Sequence, residues 1–232
     1  MLIVSQLLAI NSFSLCVQSV KPSMKIAVVT GANKGIGFEI ARIIGKQPET
    51  LCIMGCRNLE LASKAEAELK RDGCNVASMA IDIGDTDSIN KFASQVKSQY
   101  GGIDILVNNA AIAFKGSDPT PFEKQARPTL HVNFFGTLAA CQALTPLLRD
   151  GGRLVFVSSR AGSIRQFGPA IQSRLLAADL SVEELSGLMG RFVAEAEAGR
   201  HREGGWPNTC YGTSKAGVTA LSRVLARQLA PR

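Results

Sequence analysis

The residue pair best suited to chemistry is Tyr211 and Lys215, in the run Tyr-Gly-Thr-Ser-Lys. A spacing of i and i+4 puts a phenol and an ammonium on one helix face. A free phenol titrates near ~10, a poor match to proton transfer at neutral pH, and a nearby ammonium favours the phenolate. The pair suits protonation of a carbonyl oxygen while hydride reaches the carbonyl carbon. Far upstream, Thr30-Gly31-Ala32-Asn33-Lys34-Gly35-Ile36-Gly37 spaces its glycines as G-x-x-x-G-x-G. It follows an apolar run and opens a helical pattern, the setting in which a glycine turn cradles phosphate on a helix N-terminus. Gly31 permits the tight turn, while Gly35 and Gly37 let backbone and helix approach a pyrophosphate. Tyr-x-x-x-Lys alone arises often by chance. Its place after the glycine turn and after Ser158-Ser159 gives it weight.

The nucleotide itself is addressed by Met54-Gly55-Cys56-Arg57-Asn58. A site for NAD usually carries Asp or Glu after the second strand, on the ribose diol. No acid stands here. Arg57, helped by Lys34, suits a 2′-phosphate, so the expected cofactor is NADPH.

The elements that must position these groups alternate from Met24 onward. Lys25–Thr30, Leu51–Gly55, Val76–Ile81, Ile103–Val107 and Arg153–Val157 are predicted strands. Ile36–Ile44 has helical spacing, with Ile36, Ile40 and Ile43/Ile44 on one face. Leu59–Arg71 is a charged amphipathic helix. Asp85 caps the next one, whose apolar stripe is Ile89, Phe92, Ala93 and Val96. A helical region spans Thr129–Leu148. Alternation of this kind predicts an α/β fold: a Rossmann-like, doubly wound parallel sheet in a three-layer α/β/α arrangement. Between Ser159 and Tyr211, Ser181-Val182-Glu183-Glu184 fits a capping box. Leu185, Leu188, Met189, Phe192 and Val193 follow at helical spacing as a docking face. His201 is expected on a surface loop.

With 232 residues, net charge +7, 46% hydrophobic and 19% charged residues, the chain fits one globular domain. There is no Lys/Arg run and no aromatic-basic interleaving, which argues against nucleic-acid binding. Six cysteines without a C-x-x-C pair, and only two histidines, exclude zinc-ligand spacing. Free buried thiols at Cys52 and Cys56 suit a reducing, cytoplasmic compartment. Residues 1–23 are apolar and uncharged until Lys21, but the stretch lacks a positive n-region and is diluted by Gln6, Asn11, Ser12, Ser14, Gln18 and Ser19. It is therefore expected to be a non-native leader, with Met24 an alternative start, rather than a signal peptide or membrane span.

Together these motifs resemble the short-chain dehydrogenase/reductase family, over Lys25 to about Ala230. The resemblance implies that Gly31, Asn33, Lys34, Gly35, Ile36 and Gly37 form the cofactor turn. It implies an adenine contact at Asp82 with Ile83 beside it, and a further cofactor contact at Asn109 within Asn108-Asn109-Ala110. It assigns Asn133 as the catalytic asparagine, Ser159 as the residue bonding the substrate carbonyl, and Tyr211 as proton donor. Lys215 would bind ribose hydroxyls and tune the tyrosine. The departure is Ala111, where the family usually has glycine; alanine there requires φ < 0 or strain.

Within the family the chain is similar to the monomeric carbonyl reductases. Ala113-Phe114-Lys115, Asp118-Pro119-Thr120-Pro121-Phe122, Asn133-Phe134-Phe135-Gly136-Thr137 and Glu184-Leu185-Ser186-Gly187-Leu188-Met189 carry this likeness, with the long segment between Ser159 and Tyr211. The resemblance implies NADPH-dependent reduction of aldehydes, ketones and quinones by a monomer whose insertion, at about 160–206, covers the usual oligomer surface. The family also continues past Arg232 with a sixth strand, a substrate loop and a seventh strand. The fold expected here therefore misses those last strands, and the fifth strand lies at an open sheet edge. Leu2–Ile10 is a candidate to pair with that edge. A truncated form that binds nucleotide poorly and catalyses nothing is the alternative from a different class. Another reductase of the family, for hydroxysteroids or 3-oxoacyl compounds, is a further one.

Overall fold

The computed structural model describes residues 24–229. Five strands, β1 (Lys25–Thr30), β2 (Thr50–Cys56), β3 (Val76–Ala80), β4 (Ile103–Asn108) and β5 (Leu148–Phe156), form one sheet in the order β3-β2-β1-β4-β5. Every neighbouring pair is parallel. The order reverses at β1, which places a crevice beyond the carboxyl ends of β1 and β4, where ligands of open α/β sheets bind.

The sheet is buried on both faces because alternate side chains point to opposite sides. Val29, Cys52, Met54, Cys56 and Val107 pack under α1 (Gly35–Gly45) and α2 (Leu59–Arg71). Ile26, Val28, Ile53 and Leu106 face α3 (Thr86–Tyr100) and α5 (Thr137–Leu144). Burial pushes the thiols of Cys52 and Cys141 up to about 12, so neither is a nucleophile at neutral pH.

Of the isoleucine stripe expected on α1, Ile40 and Ile44 pack on the core and Ile36 and Ile43 do not. Ile36 and Ile43 are 66% and 62% exposed, whereas Gly37, Ala41 and Gly45 are buried. Small residues win because the helix lies close against the sheet: a Cβ on Gly45 would come within 2.8 Å of Val76 Cγ1. The helical region before β5 also starts earlier than expected. It comprises α4 (Phe122–Leu130), a π-helical turn (His131–Gly136), α5 and a short 3₁₀ turn. Glycine at 136 admits the backbone of Ile83, whose carbonyl would clash with any Cβ there.

A third core lies beyond β5, where α6 (Pro169–Leu176), α7 (Val182–Glu197) and α8 (Cys210–Leu229) pack with α4. The docking stripe Leu185, Leu188, Met189, Phe192 and Val193 is buried there. Ser181 Oγ accepts from Glu184 N as a capping box requires, but the Glu184 carboxylate turns instead to Arg174 at 2.6 Å. His201 is not a surface residue. It is 7% exposed, stacks 4.5 Å from the Phe122 ring and meets Asn208 Oδ1 at 3.0 Å. The return loop it occupies is thereby fixed to α4, and that loop sets where α8 begins. Residues 1–23, with Cys16 and the candidate pairing of Leu2–Ile10, lie outside the described residues.

Candidate active site

β1 ends at Thr30, which is 1% exposed and ties the glycine turn to the end of β4. Its hydroxyl accepts from the amides of Asn109 and Ala110, each at 3.0 Å. Asn109 Nδ2 donates back to the carbonyls of Thr30 at 2.8 Å and Gly31 at 3.2 Å. On the other side, the Gly31 amide donates to Gly55 O at 2.7 Å. Gly31 and Gly35 have φ of +67° and +58°, where a side chain is strained. Gly37 has an ordinary φ, but a Cβ there would lie 2.5 Å from Gly31 O and closer still to the Asn109 amide.

This turn floors a cavity of about 480 Å³ lined by Gly31, Asn33, Lys34, Gly35, Ile36, Gly37, Arg57, Asp82, Ile83 and Asn109. Those are the ten residues that the sequence put around the nucleotide outside the helix of Tyr211. Gly55, Ile81, Ala110, Ala111, Ile112 and Val132 complete the wall. Gly55, Ala110 and Ala111 belong to segments already quoted from the sequence, whereas Ile81, Ile112 and Val132 carry no charge or motif of their own. For those three, only the convergence of the third strand, the loop after the fourth and the asparagine helix would have given a signal.

The donor set fits a phosphorylated dinucleotide. No side chain caps the N-terminus of α1, and its first turn carries no acid, which leaves amide donors and positive potential for an anion. Arg57 is 74% exposed and meets the Asp82 carboxylate only at 4.0 Å, a weak solvent-screened pair that an incoming phosphate would displace readily. The Asp82 segment is held by Gly84 N to Asp82 Oδ1 at 2.9 Å and by His131 Nε2 against Gly84 O at 2.8 Å. A larger groove of about 820 Å³ runs along β5 and α8 past Leu148, Leu154, Phe156 and Leu229. It holds none of the residues with chemistry, so size does not mark the site here.

The second group of residues gathers where β5 meets α8. Thr209 Oγ1 accepts from Gly212 N at 3.0 Å and so caps the helix that carries Tyr211. Asn133, 1% exposed in the π-helical turn, accepts from Ile112 N at 2.8 Å and donates to Ile112 O at 2.9 Å. It also donates to Ser214 Oγ at 3.0 Å, and Ser214 donates on to Tyr211 O at 2.7 Å. A continuous chain of hydrogen bonds therefore links the loop after β4, the π-helical turn and α8. Ser214 was not singled out from the sequence. Its place in Tyr-Gly-Thr-Ser-Lys is the only signal.

Lys215 is 4% exposed and donates to Val157 O at 2.7 Å. Its ammonium lies 5.7 Å from the centre of the Tyr211 ring. Burial holds its pKa below the usual lysine value. The two serines at the end of β5 divide as strand alternation demands. Ser158 Oγ turns to α8, donating to Lys215 O at 3.1 Å, and Ser159 Oγ accepts from Ala161 N at 3.1 Å at the head of a 3₁₀ turn. The structure thus joins Asn133 and Ser214 to the Tyr211 backbone, while Lys215 is tied separately to Val157. Ser159 stands at the next residue but one from Val157. Tyr211 and Lys215, also expected to touch the cofactor, do not line the 480 Å³ cavity. Ala111 lies outside the positive-φ region, so the loop carries no strain from the missing glycine.

Residues 25–171 match the profile of the short chain dehydrogenase family. The chain belongs to this family. Among relatives of the short chain dehydrogenases, carbonyl reductase (NADPH) 1 of Mus musculus is 42% identical over 209 residues, covering 89% of this chain and 76% of that protein. Its Homo sapiens counterpart is 40% identical over 206 residues, covering 88% and 74%. Among solved structures, salutaridine reductase from Papaver somniferum superimposes with a TM-score of 0.80 at 27% identity, covering 88% of this chain and 82% of that one. Menthone neomenthol reductase from Mentha piperita gives 0.79 at 26%, covering 88% and 85%. A metagenomic short-chain oxidoreductase in complex with NADP gives 0.63 at 25%, covering 89% and 77%. The protein is an oxidoreductase of the short-chain dehydrogenase type. No helix among the described residues is long and apolar enough to cross a membrane.

Proposed function

We propose that the protein reduces carbonyl compounds (aldehydes, ketones and quinones) to alcohols, with NADPH as the reductant. The observation that carries this reading is the chain of bonds from Asn133 through Ser214 to the Tyr211 backbone, with the buried Lys215 5.7 Å from the Tyr211 ring, beside a cavity whose glycine turn and cations suit a phosphorylated dinucleotide. The 2′-phosphate of NADPH falls to Arg57 and Lys34, since no acid stands in their place to receive a ribose diol. When bound, the nicotinamide ring supplies the hydride. Ser159 holds the substrate oxygen by donating its O–H to it, while its oxygen goes on accepting from Ala161 N. Tyr211 gives its phenolic proton to that oxygen as negative charge develops there. Lys215 sets a positive charge beside the ring and stabilises the phenolate left behind. Asn133, locked on Ile112 and Ser214, fixes the backbone that faces them.

The relatives named carbonyl reductase (NADPH) support the substrate and cofactor classes. The insertion supports a monomer: α7 packs on α4 and α8, covering helices that would otherwise face outward. The five described cysteines are all free, which supports a reducing cytoplasmic setting. The test is NADPH oxidation at 340 nm with a reactive quinone such as menadione, repeated with NADH. Turnover that rises with protein concentration and prefers NADPH is expected. A folded protein that oxidises neither cofactor would overturn the reading.

A further inference from the structure

Ser159 is followed directly by two short 3₁₀ turns, Arg160–Gly162 and Ile164–Gln166. The first turn is wedged against the head of α8. A Cβ on Gly162 would lie 2.7 Å from Ala216 N, and one on Gly212 would lie 2.6 Å from Ala161 O. The second turn is folded back on the first by Gln166 Nε2, which donates to Ala161 O at 2.5 Å. Each turn carries an exposed arginine, Arg160 and Arg165. Elsewhere Arg42, Arg127, Arg149, Arg174 and Arg191 are tied to carboxylates. Among the described residues, Arg160 and Arg165 join no ion pair, as is also true of Arg71, Arg153, Arg200, Arg202, Arg223 and Arg227; what sets them apart is that they closely follow Ser159 in a stretch, residues 159–168, without Asp or Glu. Arg160 therefore directly follows Ser159, the residue proposed to hold the substrate oxygen, on backbone braced against the turn bearing Tyr211 and Lys215.

We propose that Arg160, with Arg165 behind it, makes the substrate side of the site selective for carbonyl compounds that carry an anionic group, a carboxylate in the first instance. This rests on the carbonyl-reductase reading and specifies its substrate class. Arg160 acts by binding the remote anion and takes no part in the proton or hydride steps. An exposed ion pair of this kind shifts affinity by roughly two- to five-fold and weakens as salt rises.

The experiment compares 4-formylphenylacetate with its methyl ester, in which a methylene insulates the aldehyde from the differing group, at saturating NADPH and low ionic strength. The expected kcat/KM favours the carboxylate, chiefly through KM, and the preference shrinks with added salt. Arg160→Gln should bring the ratio towards one, Arg160→Lys should keep it, and Arg165→Gln should lower it less. Reduction of both aldehydes with equal kcat/KM, or a ratio untouched in Arg160→Gln, overturns this inference and leaves the carbonyl-reductase reading standing. Reduction of neither aldehyde by folded protein overturns both.

Discussion

The cofactor half and the substrate half of the site are built differently. Around the nucleotide, contacts join the ends of β1, β2 and β4 through backbone and short side chains, and ten expected residues line one cavity. On the substrate side, the residues come from β5, the π-helical turn and α8, and they converge only because the third core locks α8 in place. The first half sits on the ends of strands that pair in one sheet, tied together by the Thr30 hydroxyl. The second is a tertiary assembly, in which a single hydroxyl, that of Ser214, bridges elements far apart in sequence. Damage to one half should thus be separable from damage to the other.

Tyr211→Phe should separate them most sharply. It removes the proton donor and leaves the cavity intact, so turnover should fall on the order of 100- to 10,000-fold while NADPH binding, followed by fluorescence, is retained. Loss of binding as well would mean that the halves are not independent. Gly37→Ala attacks the other side. Its Cβ would meet Gly31 O at 2.5 Å, so the turn must open, costing about 1–3 kcal/mol in urea unfolding and abolishing cofactor binding. Arg57→Asp should lower the kcat/KM preference for NADPH over NADH roughly ten- to a hundredfold, since it removes a charge-assisted phosphate contact and supplies a carboxylate to the ribose diol. An equal or greater preference would refute the phosphate role. Ser214→Ala is the mildest. It breaks the bridge between Asn133 and α8 and should cost ~1 kcal/mol of stability by chemical denaturation, with NADPH affinity unaffected.

The same division explains what was legible in the sequence. The five strands, the glycine turn, Leu59–Arg71 as a helix and Asp85 as a cap follow from period, caps and glycine punctuation, which are local signals. On α1 the isoleucine period places Ile40 and Ile44 against the core but not Ile36 and Ile43, because close packing on the sheet selects Gly37, Ala41 and Gly45. His201 looked like a surface residue because its loop is rich in glycine and charge. Its burial depends on Phe122, a distant partner that no local pattern announces. Ser214 escaped for the same reason: its bond to Asn133 exists only after α8 docks. Arg57 and Lys34 were visible because an expected acid was missing, and a missing charge is as local a signal as a present one.

The central claim is that the two halves meet in a hydride transfer assisted by Tyr211. The direct measurement uses NADPH deuterated at C4 of the nicotinamide, each epimer in turn, with an aromatic aldehyde as acceptor and the alcohol examined by mass spectrometry and NMR. The account predicts that one epimer places deuterium on the carbinol carbon and the other does not, with the hydroxyl proton drawn from solvent. Unlabelled alcohol from both epimers, or no alcohol from folded protein, would contradict it.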